Sequence, residues 1–166
     1  MLFRSKLKAL TLVAALAAAG PLAAQDLVLG LTHAKTGRYA GVGIGTEVAV
    51  DIAVAEINAA GGVNGKKLRI EKFDTGSEAK NAQIAAQKFT QDMKALGIIG
   101  PFSSQEAQVA FAAGERLEIV QIPNAASAPG LTKDRNWAFR ITEDEGKQFG
   151  RLLKTLEAKG GFGAKT

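Results

Sequence analysis

Short apolar runs alternate with segments of helical periodicity from residue 26 onward, and this alternation is the feature that most constrains the fold. The first run, residues 27–31, is apolar without interruption, as is typical of a strand buried on both faces of a parallel sheet. Further strands are predicted at residues 68–73, 96–100, 119–122 and 137–141. The repeated order predicts an α/β fold: a doubly wound, mostly parallel sheet with helices on both faces.

Apolar spacing and capping signals place the helices. The first is predicted over about residues 46–60, after a loop from Thr32 to about Gly45, and Gly61-Gly62 should end it in a left-handed turn. Its inward face should hold Val48, Ile52, Ala55 and Ala59, and that of the second helix Ala82, Ala85, Phe89 and Met93. The second, third and fourth helices should begin at capping boxes, which are Thr75 with Glu78, Ser103 with Glu106, and Thr142 with Glu145.

The last predicted helix has an apolar face with nothing after it in the sequence to cover that face. The alternation calls for another strand just where the chain stops, at Thr166. We therefore expect an incomplete protein, truncated at its C-terminal side. The uncovered face holds Phe149, Leu152, Leu153 and Leu156.

Residues 1–24 have the composition of a secretory signal peptide. Three basic residues precede an almost wholly apolar stretch, residues 10–19, which is shorter than the ~20 residues of a membrane span. We expect cleavage after about Ala24 and export to the periplasm. Removing the three basic residues, with no acidic residue among them, lowers the net charge from +5 to +2. No nucleic-acid partner is therefore expected.

Residues that could carry catalysis or bind a metal are scarce. The chain has one histidine and no cysteine, and no pair of carboxylates is placed by spacing on one wall of a cleft. His33 follows the first strand, where it could contact a ligand, although a solvated loop histidine is the favoured interpretation. We expect neither an enzyme nor a metal site, and no cofactor.

Three glycines, Gly41, Gly43 and Gly45, raise the alternative of a nucleotide-dependent oxidoreductase with Asp74 as the ribose ligand. A dinucleotide fingerprint is G-x-G-x-x-G in the tight turn directly after the first strand. Here the pattern is G-x-G-x-G and begins at the tenth residue after Leu31. The spacing argues against a nucleotide site.

Two loops at the carboxyl ends of predicted strands are the better candidates for a ligand site. The first places Phe102, Ser103 and Ser104 at a helix N-terminus, whose free N–H groups attract an anion such as a carboxylate. The second has small residues around Ala125 and Ser127 that let the backbone approach a small polar ligand. Ser103 is expected to be an N-cap, whereas Ser104 and Ser127 are expected to contact the ligand.

A specific set of motifs runs from Asp26 to about Gly160. The most specific is AEINAAGGVNGKKL at residues 55–68, which ends the first predicted helix. The others are Lys35-Thr36-Gly37, Asp74, Ile99-Gly100, Ser103-Ser104 and ASAPGLT at residues 126–132. Together they resemble the branched-chain amino acid (Leu/Ile/Val) binding proteins of ABC transporters, which have the type I periplasmic binding protein fold.

This resemblance implies two lobes that close on a small-molecule ligand by hinge motion and then dock on an ABC transporter membrane permease. Residues 25–142 would form part of the N-terminal ligand-binding lobe, and residues 143–166 the truncated start of the second lobe. Ser104 and Ser127 would hold the α-carboxylate of an amino acid or a related small acid or amide. The Ala125 carbonyl and its loop would receive the α-amino group, together with an acidic residue of the second lobe.

The chain departs from the family pattern at two places. Some relatives place an aromatic ring over the ligand at the position of Val42, and Tyr39 is near enough to substitute for it. Some link two loops by a disulfide at the positions that read Ser77 and Ser103 here. The side-chain specificity can therefore differ from leucine or valine, since relatives bind aromatic acids, amides and urea. A ligand sensor with a regulatory partner is the alternative function.

Overall fold

The protein has four β-strands and four α-helices within residues 25–161, which are the residues that the computed structural model describes. The predicted signal segment, residues 1–24, lies outside them. In chain order the elements are β1 (Leu27–His33), α1 (Ala40–Ala59), β2 (Leu68–Asp74), α2 (Ala79–Gln91), β3 (Gly97–Ile99), α3 (Ser104–Leu117), β4 (Val120–Ile122) and α4 (Glu145–Ala158). The predicted α/β fold class is confirmed.

The four strands form one parallel sheet in the order β2-β1-β3-β4. The chain leaves β1 for the edge strand β2 and then returns past β1 to β3, so the strand order reverses between β1 and β3. Right-handed crossovers place α1 on one face and α2 and α3 on the other. The crevice at such a reversal is the usual ligand position in an open α/β sheet. Within residues 25–161, no helix has the length and apolar character of a membrane span.

The sheet face under α2 and α3 holds the main hydrophobic core. Phe89 is fully buried, and its ring fills the space above Gly30, where an added Cβ would come within 2.5 Å of the ring. Alanines and isoleucines from both helices and the strands pack around that ring: Ala85, Ala86, Ile98, Ala113 and Ile119. The inward face predicted for the second helix is confirmed, with Met93 packed against the same cluster.

The orientation predicted for the first helix is wrong. The four residues expected to face inward are all exposed: Val48, Ile52, Ala55 and Ala59. The side of α1 turned toward the sheet instead carries Gly43, which is buried, and Val50 and Val54, which are half-buried.

Polar contacts to β2 explain this orientation. The Asn58 side chain donates to the Leu68 carbonyl (2.9 Å) and accepts from the Leu68 N–H (2.8 Å). The Lys72 ammonium bridges Glu47 (3.1 Å) and Asp51 (2.7 Å). These groups must all lie on the side of the helix that meets β2, so the apolar residues are turned outward.

The first helix also begins earlier than predicted, at Ala40 rather than near residue 46. Its three glycines therefore lie inside the first turns of a helix and not in a loop. Gly43 packs against the Ala34 carbonyl, and an added Cβ would overlap the carbonyl oxygen. Glycine is therefore needed at this position for close packing of the helix, and not because the chain forms a loop there. The predicted end is confirmed, because Gly61 and Gly62 have φ of 104° and 78°.

The predicted fifth strand, residues 137–141, is wrong. Within the described residues this segment makes a single bridge between Ala138 and Gln121, formed by two backbone hydrogen bonds. Phe139 and Ile141 remain exposed, because no neighbouring strand lies beyond them in residues 25–161. Most of the expected uncovered face of α4 is present: Phe149, Leu152 and Leu153 are at least half exposed, whereas Leu156 is half-buried.

Of the three predicted capping boxes, only the one at Ser103 and Glu106 forms. Asp144, not Thr142, caps α4, since its carboxylate accepts from the Lys147 N–H at 3.0 Å. Thr75 does not cap α2 either, because that helix begins at Ala79 with Glu78 as its N-cap, and the buried Thr75 hydroxyl instead donates to Glu106 at 2.6 Å. The Thr75 hydroxyl therefore links the end of β2 to α3 and does not cap α2.

Candidate ligand-binding site

An open cleft of about 340 Å³ lies at the carboxyl ends of β1, β3 and β4. Its walls come from the residues after each of these strands and from the first residue of α4. The lining residues are Tyr39, Phe102, Ser103, Ser104, Gln105, Ala125, Ala126, Ser127 and Glu145. Six of the seven site residues predicted from the sequence therefore line this one cleft.

Val42 is the predicted site residue that the structure does not place in the lining of this cleft. It lies in the first turn of α1 with about half of its surface exposed, and Tyr39 supplies the aromatic ring instead. The Tyr39 and Phe102 ring centroids are 5.2 Å apart with an interplanar angle of 55°. The two rings form an aromatic side of the cleft.

The loop that carries Tyr39 is fixed by the end of β2. The Asp74 carboxylate accepts hydrogen bonds from the Lys35, Thr36 and Gly76 N–H groups and from the Thr36 hydroxyl, at 2.8 to 3.2 Å. Burial alone would raise the pKa of Asp74, but these hydrogen bonds together lower the pKa below its usual value. Asp74 is thus occupied in holding two loops together.

A buried carboxylate joins two of the loops beneath the cleft. Glu106 is 1% exposed, and its two oxygens accept from the Thr75 and Ser103 hydroxyls, each at 2.6 Å. Ser103 also caps α3 by accepting from the Glu106 N–H. Ser103 therefore fixes the start of α3, as the sequence predicted, and its hydroxyl proton is used in the bond to Glu106.

Ser104 stands next to this cap, in the first turn of α3. Its hydroxyl oxygen accepts from the Ala128 N–H at 3.2 Å, which leaves the hydroxyl proton free to donate. The N–H groups of Ser104 and Gln105 donate to no atom within residues 25–161, as is normal for the first turn of a helix. One hydroxyl proton and two N–H groups are thus available to an anion at the positive end of the α3 dipole.

Ser127 and Glu145 form the opposite side of the cleft. The Ser127 hydroxyl donates to Glu145 Oε1 at 2.6 Å, and the Glu145 N–H donates to the Ser127 carbonyl at 2.9 Å. Sequence reasoning missed Glu145 as a cleft residue, because it treated this glutamate as the third residue of a capping box. An acidic residue at the first turn of a helix that follows a ligand loop is the signal that could have identified it.

His33 does not lie in the solvated loop that the sequence favoured. It is the last residue of β1 and 3% exposed, with Nδ1 at 3.5 Å from Glu47 Oε2. The hydrogen bond from Lys72 is the main reason that the pKa of Glu47 is lowered, and His33 and Lys35 add to the shift. His33 therefore belongs to the packing of α1, and it is not among the residues that line the cleft.

A metal or nucleotide site finds no support in this geometry. In the part of the chain from residue 25 to residue 161, no three His, Asp or Glu side chains are grouped as metal ligands would be. The glycines that suggested a nucleotide lie within α1 rather than in the turn after β1. What the cleft offers is hydrogen-bond donors on one side, a carboxylate on the other, and two aromatic rings.

Comparisons with known proteins show what the chain is similar to. Residues 26–165 match the family described as periplasmic binding protein. The Leu/Ile/Val-binding protein of Escherichia coli strain K12 is 36% identical over 118 residues, which are 71% of this chain and 32% of that protein. An amino acid binding protein of Pseudomonas aeruginosa is 31% identical over 108 residues, 65% of this chain and 29% of that protein.

A solved structure is also similar. The branched-chain amino acid transporter substrate binding protein LivJ of Streptococcus pneumoniae, in complex with isoleucine, superposes with a TM-score of 0.70 at 28% identity. The superposition covers 72% of this chain and 34% of LivJ. The chain thus spans about a third of the length of the relatives that it matches.

Proposed function

The chain belongs to the periplasmic binding protein family, and from that premise we propose that it captures a small solute with a carboxylate group, an amino acid or a related acid or amide. The solute would be bound between two lobes in the periplasm and delivered to the membrane permease of an ABC transporter. The named relatives are substrate-binding proteins and not enzymes, which supports binding without catalysis.

One observation carries the proposal. At the point where the strand order reverses, Ser104 offers its hydroxyl proton, and the Ser104 and Gln105 N–H groups are free within residues 25–161. Three donors that converge at a helix N-terminus, inside a cleft with an aromatic side, match the oxygens of a carboxylate on a small organic molecule.

The names of the relatives indicate which solutes to try first. The Escherichia coli relative is named for leucine, isoleucine and valine, and the Streptococcus pneumoniae structure holds isoleucine. Branched-chain amino acids are therefore the first ligands of choice. Aromatic acids and amides come next, because the Tyr39 and Phe102 rings could pack against a flat ligand.

Within this proposal, residues 1–24 are an export signal cleaved after about Ala24. Residues 25–142 are part of the N-terminal lobe, and residues 143–166 begin the second lobe. The exposed apolar face of α4 supports this division, because a helix with Phe149, Leu152 and Leu153 uncovered needs further chain to pack against.

A thermal-shift screen of amino acids, small acids and amides on the full-length protein tests the function. A ligand at 100 times its dissociation constant stabilises the fold by about 2.7 kcal/mol. A shift with a branched-chain amino acid supports the proposal, and the absence of a shift with every compound contradicts it. A ligand sensor with a regulatory partner would give the same shift, but would be recovered with a soluble partner rather than with a permease.

Calorimetric titration of Ser104→Ala tests the site. A hydrogen bond to a charged group is worth about 1.5 to 3 kcal/mol, so the affinity should fall roughly 10- to 150-fold. Thr90→Ala is the control, because the Thr90 hydroxyl bonds within α2 and Thr90 is not among the residues that line the cleft. Unchanged affinity in Ser104→Ala, with a lowered melting temperature, would show that Ser104 only supports the Ala128 loop.

A further inference from the structure

We propose that Thr75 and Glu106 are positioning residues of the ligand site, because a buried bridge of hydrogen bonds through them sets the two walls of the cleft relative to each other. Neither residue lines the cleft, so neither is expected to touch the ligand. The inference rests on the proposed function, since a positioning role needs a solute bound in the cleft. It goes beyond that function by making the affinity depend on two residues beneath the site.

The bridge joins the end of β2 to the start of α3. Thr75 directly follows β2, and its hydroxyl donates to Glu106 Oε1 at 2.6 Å. Glu106 Oε2 accepts from the Ser103 hydroxyl at 2.6 Å and from the Ser103 N–H at 3.3 Å. Thr75 and Glu106 are both fully buried, so water does not compete for these bonds. A hydrogen bond shielded from water is stronger than an exposed one, and losing one partner leaves the other unsatisfied.

On its α3 side, the bridge holds the donors proposed for the ligand carboxylate. Ser103 is the N-cap of α3 and Glu106 is the third residue of the helix, so the bonds between them fix the first turn. The N–H groups of Ser104 and Gln105 belong to that turn and point out of the helix end. A tilt of the first turn would therefore move both N–H groups and the Ser104 hydroxyl together.

On its β2 side, the bridge connects to the aromatic wall of the cleft. The Thr75 hydroxyl oxygen accepts from the Ser77 N–H at 3.3 Å, and the Ser77 hydroxyl oxygen accepts from the Tyr39 N–H at 3.0 Å. The Thr75 N–H also donates to the carbonyl of His33, at the end of β1, at 2.8 Å. A continuous series of hydrogen bonds thus runs from the Tyr39 backbone, through Thr75 and Glu106, to the first turn of α3.

The buried carboxylate depends on these hydrogen bonds and not on an ion pair. Within residues 25–161, no lysine, arginine or histidine lies within ion-pair distance of Glu106. In the same part of the chain, the Thr75 hydroxyl is the one donor to Oε1. Without that hydroxyl, Oε1 would be a buried carboxylate oxygen with no donor, which is costly. The Glu106 side chain would have to turn toward water or another donor, and the first turn of α3 would move with it.

Thr75→Val in the full-length protein tests the assignment, because valine keeps the shape of threonine and removes its hydroxyl. The probe is L-leucine in calorimetric titrations. Its affinity should fall roughly 5- to 30-fold, the ratio that corresponds to about 1 to 2 kcal/mol for an unsatisfied buried group. The affinity falls because the ligand binds only those molecules in which both walls are correctly placed. Thr75→Ser keeps the hydroxyl and should bind L-leucine as the unaltered protein does.

Thr90→Val is the matched control. The Thr90 hydroxyl donates to the Ala86 carbonyl at 2.8 Å within α2, so this variant loses one hydrogen bond that lies outside the bridge. Thr90 is not among the residues that line the cleft. The melting temperature of Thr90→Val should fall, while its affinity for L-leucine should stay the same.

Hydrogen exchange in the absence of ligand tests the bridge itself. The N–H groups of Glu106 and Ala107 both bond to Ser103, so their exchange rates report on the first turn of α3. These two N–H groups should exchange roughly 5- to 30-fold faster in Thr75→Val. In Thr75→Ser they should exchange as in the unaltered protein. Because no ligand is present, this measurement does not depend on which solute the protein binds.

The positioning role is wrong if Thr75→Val binds L-leucine as tightly as the unaltered protein and only its melting temperature falls. It is also wrong if Thr75→Ser weakens binding as much as Thr75→Val, because the shape of the side chain would then matter and not its hydroxyl. If the unaltered protein does not bind L-leucine, the branched-chain ligand fails, and hydrogen exchange decides the bridge: faster exchange in Thr75→Val supports it, and unchanged exchange overturns it. If Thr75→Val does not fold, Thr75→Ala replaces it, with a smaller loss in the same direction, because alanine leaves space for a water molecule at Glu106.

Discussion

The two faces of the sheet are held together in different ways. On the face under α2 and α3, apolar side chains around Phe89 fill the centre of the interface, and the polar side chains buried beside them, Gln121 and Glu106, are hydrogen-bonded. On the other face, α1 is fastened to β2 by Asn58 and by the bridge from Lys72 to two carboxylates, while its apolar stripe points outward. Apolar periodicity therefore predicts how a helix is oriented only where apolar contacts hold that helix in place.

The largest expected effect comes from removing the side chain at the centre of the apolar face. Phe89→Ala should lower the free energy of unfolding by about 3 to 5 kcal/mol, the usual cost of emptying a buried aromatic site. Ile52→Ala, on the exposed stripe of α1, should change it by less than about 0.5 kcal/mol. Urea unfolding of both variants makes the comparison. A cost for Ile52→Ala near that of Phe89→Ala would show that the outer side of α1 is covered in the full-length protein.

A pair of glycines in α1 sharpens the comparison at a smaller scale. Gly43→Ala should destabilise the protein by about 1 to 3 kcal/mol, because the added Cβ overlaps the Ala34 carbonyl and the helix must move. Gly45→Ala should stabilise it by about 0.5 to 1 kcal/mol, since nothing lies within 4 Å of the added Cβ and alanine favours the helix. Thermal unfolding measures both. The same sign in both variants would mean that α1 is not seated on Ala34.

The fold could be predicted because the elements of the α2 and α3 face obey local rules. The strands are short apolar runs, the inward alanines of α2 have helical spacing, and the capping box at Ser103 forms where the spacing placed it. The loops of the candidate site followed from the same pattern, because the carboxyl ends of parallel strands meet at one edge. Six predicted site residues therefore line one cleft.

The remaining features depend on contacts between segments far apart in sequence. The Thr75 hydroxyl is buried and donates to Glu106, which lies 31 residues away. His33 is buried because Glu47 and its helix lie against the end of β1. Glu145 enters the site because the Ser127 loop folds back onto α4. The spacing of residues within one helix or loop cannot predict contacts between residues so far apart in the sequence.

The smallest expected effect is a change in pH dependence that separates the two faces. The hydrogen bond from Lys72 is the main cause that lowers the pKa of Glu47 below its usual 4.5, with burial opposing it. At pH values between the lowered pKa and 4.5, the Glu47 carboxylate is protonated in the unfolded chain but not in the folded one. Lowering the pH through this range therefore favours unfolding. The contribution of Glu47 to stability is therefore present above about pH 4.5 and lost as the pH falls through the folded-state pKa. Glu47→Gln should flatten the loss of stability in that acid range.

Glu56→Gln is the matched control for this measurement, because Glu56 lies on the same helix, is exposed, and makes no ion pair with residues 25–161. Urea unfolding of the three proteins at several pH values from neutral to acid gives the slopes. The Glu47 variant should have the shallower acid slope, while Glu56→Gln should follow the unaltered protein. If the free energy of unfolding fell equally steeply with acid in all three proteins, the ion pairs of Lys72 would not hold α1 on the sheet in solution. Apolar contacts of α1 would then have to hold it there.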